Sequence, residues 1–549
     1  MNPVLSPKLH IKLQEQLQVF HSGPSDELEA QTSKMDKASI LLSSLPLNEE
    51  LTKLVDLEEG QQVSLRMKAD MSSGDLDLRL GFDLCDGEQE FLDKRKQVAS
   101  KALQRVMGLS EALHCDQVPV VAVLGSGGGT RAMTSLYGSL AGLQELGLLD
   151  AVTYLSGVSG SSWCISTLYR DPSWSQKALQ GPIKYASERV CSSKIGMLSP
   201  KQFEYYSREK RAWESRGHSM SFTDLWGLII EYFLNQEENP AKLSDQQETV
   251  SQGQNPYPIY ASINVHKNIS GDDFAEWCEF TPYEVGFPKY GAYVPTELFG
   301  SEFFMGRLLH FWPEPRICYL QGMWGSAFAA SLYEIFLKLG GLSLSFLDWH
   351  RGSVSVTDGY PDACPNQLTP MKDFLSLVDG GFAINSPFPL VLQPQRAVDL
   401  IVSFDYSLEG PFEVLQVTEK YCRDRGIPFP RIEVDPKDSE DPRECYLFAE
   451  AEDPCSPIVL HFPLVNRTFR THLAPGVERQ TAEEKAFGDF IINGPDTAYG
   501  MMDFTYEPKE FDRLVTLSRY NVLNNKETIR HALQLALDRR RQAGGRVGG

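Results

Sequence analysis

Apolar positions change their spacing from one segment of the chain to the next, and each change predicts an element. The run DLDLRLGFDL (75–84) alternates apolar and polar residues, the period of a half-buried strand, whereas FLDKRKQVASKALQRVM (91–107) repeats its apolar residues at helical spacing. VPVVAVL (118–124) is a continuous apolar run of buried-strand length, and GSGGGTRAM (125–133) follows at once and opens into a helical pattern. The same sequence of strand, small-residue turn and helix recurs in AVTYLS (151–156) and GVSGSSWCISTLY (157–169). At the C-terminus, KETIRHALQLALDRRRQAGGRVGG (526–549) reads as one amphipathic helix with basic residues toward its end, where they suit the negative pole of the helix dipole, and then a Gly-rich tail. Residues 1–70 show weak periodicity and polar clusters and are read as a linker or remnant segment. The compact domain is expected over residues 71–549, with the Gly-, Ser-, Asp- and Pro-containing stretch 340–370 as a candidate mobile insertion.

Composition narrows the function. With 549 residues and 42% hydrophobic content the chain can bury a large core and is too apolar for a disordered protein. Its 52 Lys and Arg against 73 Asp and Glu leave a net charge of −21, which argues against nucleic acid as a partner. The N-terminus lacks a continuous apolar signal region and no stretch reaches the roughly 18 apolar residues of a membrane span, so a cytosolic protein is expected. Ten cysteines dispersed without a CxxC pair fit reduced thiols.

The candidate chemistry lies at the two glycine turns. Glycines between a buried strand and a helix let backbone N–H groups converge, so the first turn suits a phosphate or an oxyanion. A dinucleotide fingerprint fits only when forced onto Gly127-x-Gly129-x-x-Ala132, because the acidic ribose ligand after the next strand is missing, and no Gly-Lys-Ser/Thr follows for a P-loop. Taken alone, the turn also fits simple packing of helix on strand. The second turn places Ser159 among Gly157, Gly160 and Ser161, the shape of a nucleophile elbow, although Ser161 departs from G-x-S-x-G. A nucleophile beside a donor-rich loop is what acyl transfer requires. Among the ten histidines none is a persuasive base: His266 and His310 sit in apolar or aromatic stretches, His461 follows SPIVL and His472 lies in a polar segment. Asp379, at the end of an apolar run in SLVDGGFAINSPFPLVL, is the better partner, since a carboxylate beside Ser159 can take its proton directly.

GSGGGTRAM, GVSGS, VDGG and PQR in this order, together with CEFTPYEVGFPKYGAYVPTELFGSEFFMG (278–306), resemble the lipase domain of the cytosolic (group IV) phospholipases A2 over about residues 70–545. The resemblance implies a three-layer α/β fold of the patatin type with a central mixed sheet and a lid insertion, and a phospholipase with a Ser–Asp dyad. It implies Ser159 as nucleophile, Asp379 as general base and the N–H groups of Gly128 and Gly129 as oxyanion hole. Arg131 would hold the substrate phosphate, and Arg396 of QPQRAVDL would be a second functional arginine. Cleavage of the sn-2 ester of phosphatidylethanolamine or phosphatidylcholine, with lysophospholipase activity, is the implied reaction. Phospholipid-dependent N-acyl transfer and an inactive lipid-binding form are the alternatives.

Departures from the family pattern qualify these expectations. Residues 1–70 are too few for a complete calcium-binding C2 domain, so calcium is expected only in a longer form, for membrane docking, and no cofactor for the chemistry. Gln393 stands where some relatives have an arginine. A phospholipid surface, met peripherally and reversibly on intracellular membranes, is the expected partner. Candidate contacts are the aromatic series Phe280, Tyr283, Phe287, Tyr290, Tyr293, Phe299, Phe303 and Phe304, with core placement favoured for most, and Arg539, Arg540, Arg541 and Arg546.

Overall fold

The continuous apolar runs become strands buried on both faces, and this fixes the architecture. The computed structural model describes residues 76–549, apart from 216–219, 266–274, 305, 328–374, 376, 409, 452, 495–496 and 548–549, and among the first 75 residues only four strands. The chain divides into two units, one of residues 1–79, 301–311 and 355–374, the other of the remainder.

In the larger unit the strands are β1 (Val121–Gly125), β2 (Tyr154–Gly157), β3 (Tyr257–Val265), β4 (Ala275–Phe280), β5 (Glu284–Phe287), β6 (Ala292–Pro295), β7 (Leu377–Asp379), β8 (Leu400–Asp405), β9 (Tyr446–Phe448) and β10 (Ile458–Pro463). They form a central mixed sheet in the order β9-β10-β8-β1-β2-β3-β4-β5-β6, with β7 also paired to β3. From β10 across to β3 the pairing is parallel; the outer pairs are antiparallel. Ala122, Val123 and Leu124 are fully buried, so both faces of β1 must be covered by helices, as expected of a parallel sheet centre.

The helices that matter for the site are α1 (Asp86–Met107), α2 (Gly129–Glu145), α3 (Gly160–Leu168), α4 (Gln180–Val190), α5 (Pro200–Glu214), α6 (Phe222–Asn235), α7 (Pro508–Asn524) and α8 (Lys526–Val547). Helix α2 packs closely on α7, where a Cβ on Gly138 would fall 2.2 Å from the Val515 carbonyl oxygen. Arg519 of α7 reaches back to Glu145 at the end of α2, at 2.5 Å. In α8, Arg539 donates to the carbonyls of Ser456 and Glu450 at 2.7 and 2.5 Å, and Arg540 pairs with Asp399 at 2.7 Å. Two of the four C-terminal arginines proposed for a lipid surface therefore anchor their own helix; Arg541 is exposed, and the side chain of Arg546 lies outside the described residues.

One further expectation changes. The alternating run 75–84 forms a strand only at Arg79–Leu80, and Leu76, Leu80 and Phe82 stay exposed, so its period is not matched by a buried face. Within the first 70 residues, expected as a linker or remnant segment, Lys8–Lys12 pairs antiparallel with Lys37–Leu41, and Glu50–Asp56 with Gln62–Lys68. The insertion proposed at 340–370 and His266 fall outside the described residues.

Candidate active site

Two strands meet end to end along one edge of β3, and the two reactive groups stand where they meet. β2 runs parallel to β3 and ends with Gly157 opposite Tyr260, while β7 comes from the other direction and ends with Asp379 opposite Ser262. Since β4 occupies the other edge of β3 over Tyr260–Val265, β2 and β7 share the remaining one. Two residues of strand rise, about 7 Å, separate their ends, and Ser159 lies just past the end of β2.

Ser159 adopts φ 53° and ψ −123°, a left-handed conformation that costs a non-glycine residue about 1–3 kcal/mol and is retained where the surroundings enforce it. The enforcement is visible next door. A Cβ on Gly160 would lie 2.0 Å from the Gly129 carbonyl oxygen, so the start of α3 rests directly on the glycine loop. Gly128 and Gly129 themselves have φ 145° and 58°, and among the described residues their N–H groups donate to no protein acceptor. Ser161, the departure from G-x-S-x-G, uses its hydroxyl to bond the Ser126 carbonyl at 2.6 Å and so ties the elbow to the loop.

Asp379 is fully buried. Its Oδ1 accepts the Gly381 N–H at 2.9 Å, and its own N–H donates to Ser326 Oγ at 3.0 Å. Oδ2 is buried and accepts no hydrogen bond among the described residues. Burial pushes the carboxyl up to about 6, against the lowering influence of the Gly381 N–H, the Ser159 hydroxyl and the Ala327 N–H. His461 is committed elsewhere, with Nε2 2.7 Å from the Pro411 carbonyl, and burial lowers its pKa, so it is a neutral core residue.

The two arginines are both buried. Arg131 is buried, with Nε on the Tyr406 carbonyl at 2.7 Å and Nη1 on the Tyr499 carbonyl at 2.6 Å. Only Nη2 stays with the glycine loop, 2.8 Å from where a Gly128 Cβ would be. In Arg396 the guanidinium is spent on protein acceptors. Its Nε donates to Glu88 at 2.9 Å, Nη1 to Glu279 at 2.6 Å and to the Leu390 carbonyl at 2.7 Å, and Nη2 to Glu88 at 3.1 Å and Glu279 at 3.2 Å. These five bonds consume every N–H of a guanidinium. Burial alone would lower its pKa, but Glu279 and Glu88 outweigh that and hold it well above its ordinary value. Gln393 joins the same cluster through Glu279 at 3.0 Å. Of the aromatic series, Phe280, Phe287, Tyr293, Phe299 and Phe303 are buried and belong to the core. Among the described residues no group of three or more His, Cys, Asp or Glu is placed to hold a metal ion, and no helix is long and apolar enough to cross a membrane.

The residue that sequence reasoning missed is Asn385. Its carbonyl and its Oδ1 both accept the Gly127 N–H, at 3.3 and 3.1 Å, while Nδ2 donates to Ser407 Oγ at 3.0 Å and more weakly to the Gly127 carbonyl at 3.4 Å. Asn385 follows the Asp379 turn, so it couples the base to the glycine loop. A lone Asn in a loop carries no pattern; only its position six residues past the acid could have pointed to it.

Two outcomes follow. Asn385→Ala should lower kcat about tenfold to a hundredfold with little change in KM or melting temperature, because the loop donors lose their alignment; an unchanged kcat would remove Asn385 from the machinery. Arg396→Met should destabilise by about 3–5 kcal/mol, since two buried carboxylates lose their cation, and thermal melting should record it. Normal melting with a selectively raised KM would instead return Arg396 to the substrate.

The geometry can now be set beside known proteins. Residues 121–345 match the family described as "Lysophospholipase catalytic domain", and residues 1–68 match "Cytosolic phospholipases A2 C2-domain". The chain is 88% identical to cytosolic phospholipase A2 zeta of Mus musculus over its whole length and 73% of that relative, and 68% identical to the Homo sapiens zeta protein over 98% of this chain and 71% of that one. Human GIVD cytosolic phospholipase A2 superposes with a TM-score of 0.83 at 42% identity, covering 92% of this chain and 74% of that one. The same human protein in complex with methyl γ-linolenyl fluorophosphonate gives a TM-score of 0.78 at 44% identity, covering 92% and 73%. With relatives of this identity matched along nearly the whole chain, it belongs to the cytosolic phospholipase A2 family of hydrolases.

Proposed function

We propose that the chain hydrolyses the sn-2 acyl ester of glycerophospholipids, phosphatidylethanolamine and phosphatidylcholine among them, through an acyl-serine intermediate on Ser159. The observation that carries the reading is the buried Asp379 Oδ2, without a hydrogen-bond partner among the described residues, at the strand end that meets the Ser159 elbow. Ser159 Oγ attacks the ester carbonyl while Asp379 takes the hydroxyl proton. The carbonyl oxygen becomes an oxyanion held by the N–H groups of Gly128 and Gly129, with Arg131 Nη2 as a positive charge near that oxyanion or the lipid phosphate. The C–O bond to the lysophospholipid breaks, and Asp379 returns the proton to the departing alkoxide. Water then adds to the acyl-serine carbonyl, giving its proton to Asp379; the bond between the acyl carbon and Ser159 Oγ breaks, Asp379 returns the proton to Oγ, and free fatty acid leaves. A lysophospholipid can enter the same cycle, a reading supported by the family described for residues 121–345. The reading keeps calcium to the C2-like segment and routes no step through it. Contact with intracellular membranes is peripheral and reversible.

Asp379 must be ionised to act as the base, so kcat/KM should rise about tenfold per pH unit below pH 6 and level off above it. A flat profile between pH 5 and 7 would exclude Asp379 from that role. Its carboxyl is raised in the fold, so the folded state favours the protonated form; that stability is present below the ordinary carboxyl pKa and is lost as pH rises through about 6, a penalty of about 3 kcal/mol at neutral pH. Asp379→Asn should therefore abolish turnover while melting no lower than the parent at pH 7.5. Methyl γ-linolenyl fluorophosphonate should add covalently to Ser159, seen by peptide mass, and not to Ser159→Ala; labelling at another serine with activity retained in Ser159→Ala would overturn the nucleophile.

A further inference from the structure

We infer that Ser262 is a positioning residue for Asp379: across the β3–β7 pair its hydroxyl shares one buried water molecule with the open carboxylate oxygen and favours the ionised form of that group. The inference deepens the proposed catalytic cycle and rests on its assignment of Asp379 as base. Register brings the two side chains together. Asp379 lies opposite Ser262 in the antiparallel pair, and directly opposed residues point to the same side of a sheet with their Cβ atoms about 4.5–5.5 Å apart. The neighbours show which side that is. Tyr260, Ser262 and Asn264 alternate onto one face of β3, opposite Phe280, Cys278 and Glu276 of β4, and Asn264 donates to Glu276 at 3.1 Å across that face. A Cβ on Gly380, the residue after Asp379, would instead meet Trp277 at 3.1 Å and Ala261 at 3.5 Å on the other face.

Both residues are fully buried, and neither Ser262 Oγ nor Asp379 Oδ2 has a hydrogen-bond partner among the described residues. The rest of Asp379 is tied down by Gly381 and by Ser326, which follows the helix Ile317–Trp324. Trp324, at the end of that helix, stacks on Tyr260 with ring centroids 4.2 Å apart and brings its buried Nε1, also without a partner among the described residues. Buried polar atoms in folded proteins nearly always have a protein or water partner. Two that face each other beyond direct reach make the setting of a bridging water, which needs about two to four polar contacts.

The chemistry of that water follows from its partners. Anchored on the Ser262 hydroxyl, it donates to Oδ2, and a donor to a carboxylate favours the ionised form, against the burial that disfavours it. The other groups on this face leave the adjustment to Ser262. Burial pushes the Cys278 thiol up, so it stays protonated, and the Tyr260 hydroxyl, raised by burial as well, donates to Gln246 at 2.8 Å. Glu276, one same-face position further along β4, is answered by Asn264 and by Lys289 at 3.6 Å. On Asp379 itself the influences are burial and the donors Gly381, Ser159 and Ala327, with no charged neighbour among the described residues.

The test follows covalent labelling of Ser159 in the full chain by methyl γ-linolenyl fluorophosphonate from about pH 5 to about pH 9, because that reaction needs the ionised base but no phospholipid. Ser262→Ala should move the acid limb of the labelling rate up by about one pH unit, so that labelling is about tenfold slower near pH 5.5 and within about twofold of the parent near pH 8.5. Ser262→Thr keeps a hydroxyl at the position and should keep the parent's limb. A Ser262→Ala limb that coincides with the parent's overturns the inference. So does a loss of rate equal at every pH, which would make Ser262 a packing residue only. A flat profile in the parent removes Asp379 as base, and the inference falls with it. If the limb moves as expected while the parent releases no fatty acid from phospholipid, the proposed reaction fails and the role of Ser262 stands.

Discussion

The contact on which the rest of the site depends is backbone against backbone, Gly160 on Gly129. With 2.0 Å between a would-be Cβ and the opposing carbonyl oxygen, no side chain fits, and the start of α3 is locked to the start of α2. Both helices follow adjacent parallel strands, so the contact converts the sheet register into a fixed spacing between nucleophile and donor loop. The left-handed backbone of Ser159 is then a consequence: the chain must turn from β2 into α3 in the few residues that the neighbouring loop leaves free. Ser161 and Asn385 tighten the same junction from two sides, one through Ser126 and the other through Gly127.

Two buried carboxylate sites show opposite uses of burial. Around Arg396, Glu88 and Glu279 bury negative charge, and Arg396, Gln393 and the Tyr154 hydroxyl, which donates to Glu88 at 2.9 Å, answer it. Such a cluster ties α1, β4 and the segment before β8 together and has no donor to spare for a ligand. At Asp379 burial is left incomplete in its compensation, with one oxygen satisfied and the other bare. The first arrangement yields rigidity and the second reactivity, because only an unsatisfied carboxylate gains by taking a proton.

The sequence made legible what depends on local pattern. The apolar runs ending in glycine-rich turns marked β1, β2 and their helices, and the same pattern marked Ser159 and the acid at the end of β7. What it could not reveal are pairings between distant segments. That Arg396 spends all five N–H groups on residues 308 and 117 positions away, and on Leu390, is a property of the folded sheet. The same holds for Arg539 and Arg540, whose run of charge looks like a solvated tail until Asp399 and the carbonyls of Glu450 and Ser456 are brought beneath it. The strands of the first 70 residues escaped for a different reason: they are short, five to seven residues each, and polar clusters between them obscure the brief alternation of Val63, Leu65 and Met67.

A site without a histidine puts two demands on one group. In the proposed cycle the carboxyl that accepts the serine proton must also deliver it to a departing alkoxide, so it can be neither a strong acid nor a strong base. An exposed aspartate with a pKa near 4 is ionised at neutral pH but a feeble base toward a serine hydroxyl. Burial at the end of β7 raises Asp379 to about 6, still mostly ionised at neutral pH and more basic by about a hundredfold. The hydrogen bond from Gly381 keeps the shift from going further, since a carboxyl much above 7 would rest in the protonated form and could not start the reaction. Sheet geometry sets both quantities together: the strand end that carries Asp379 to the elbow is also the interior that strips it of water.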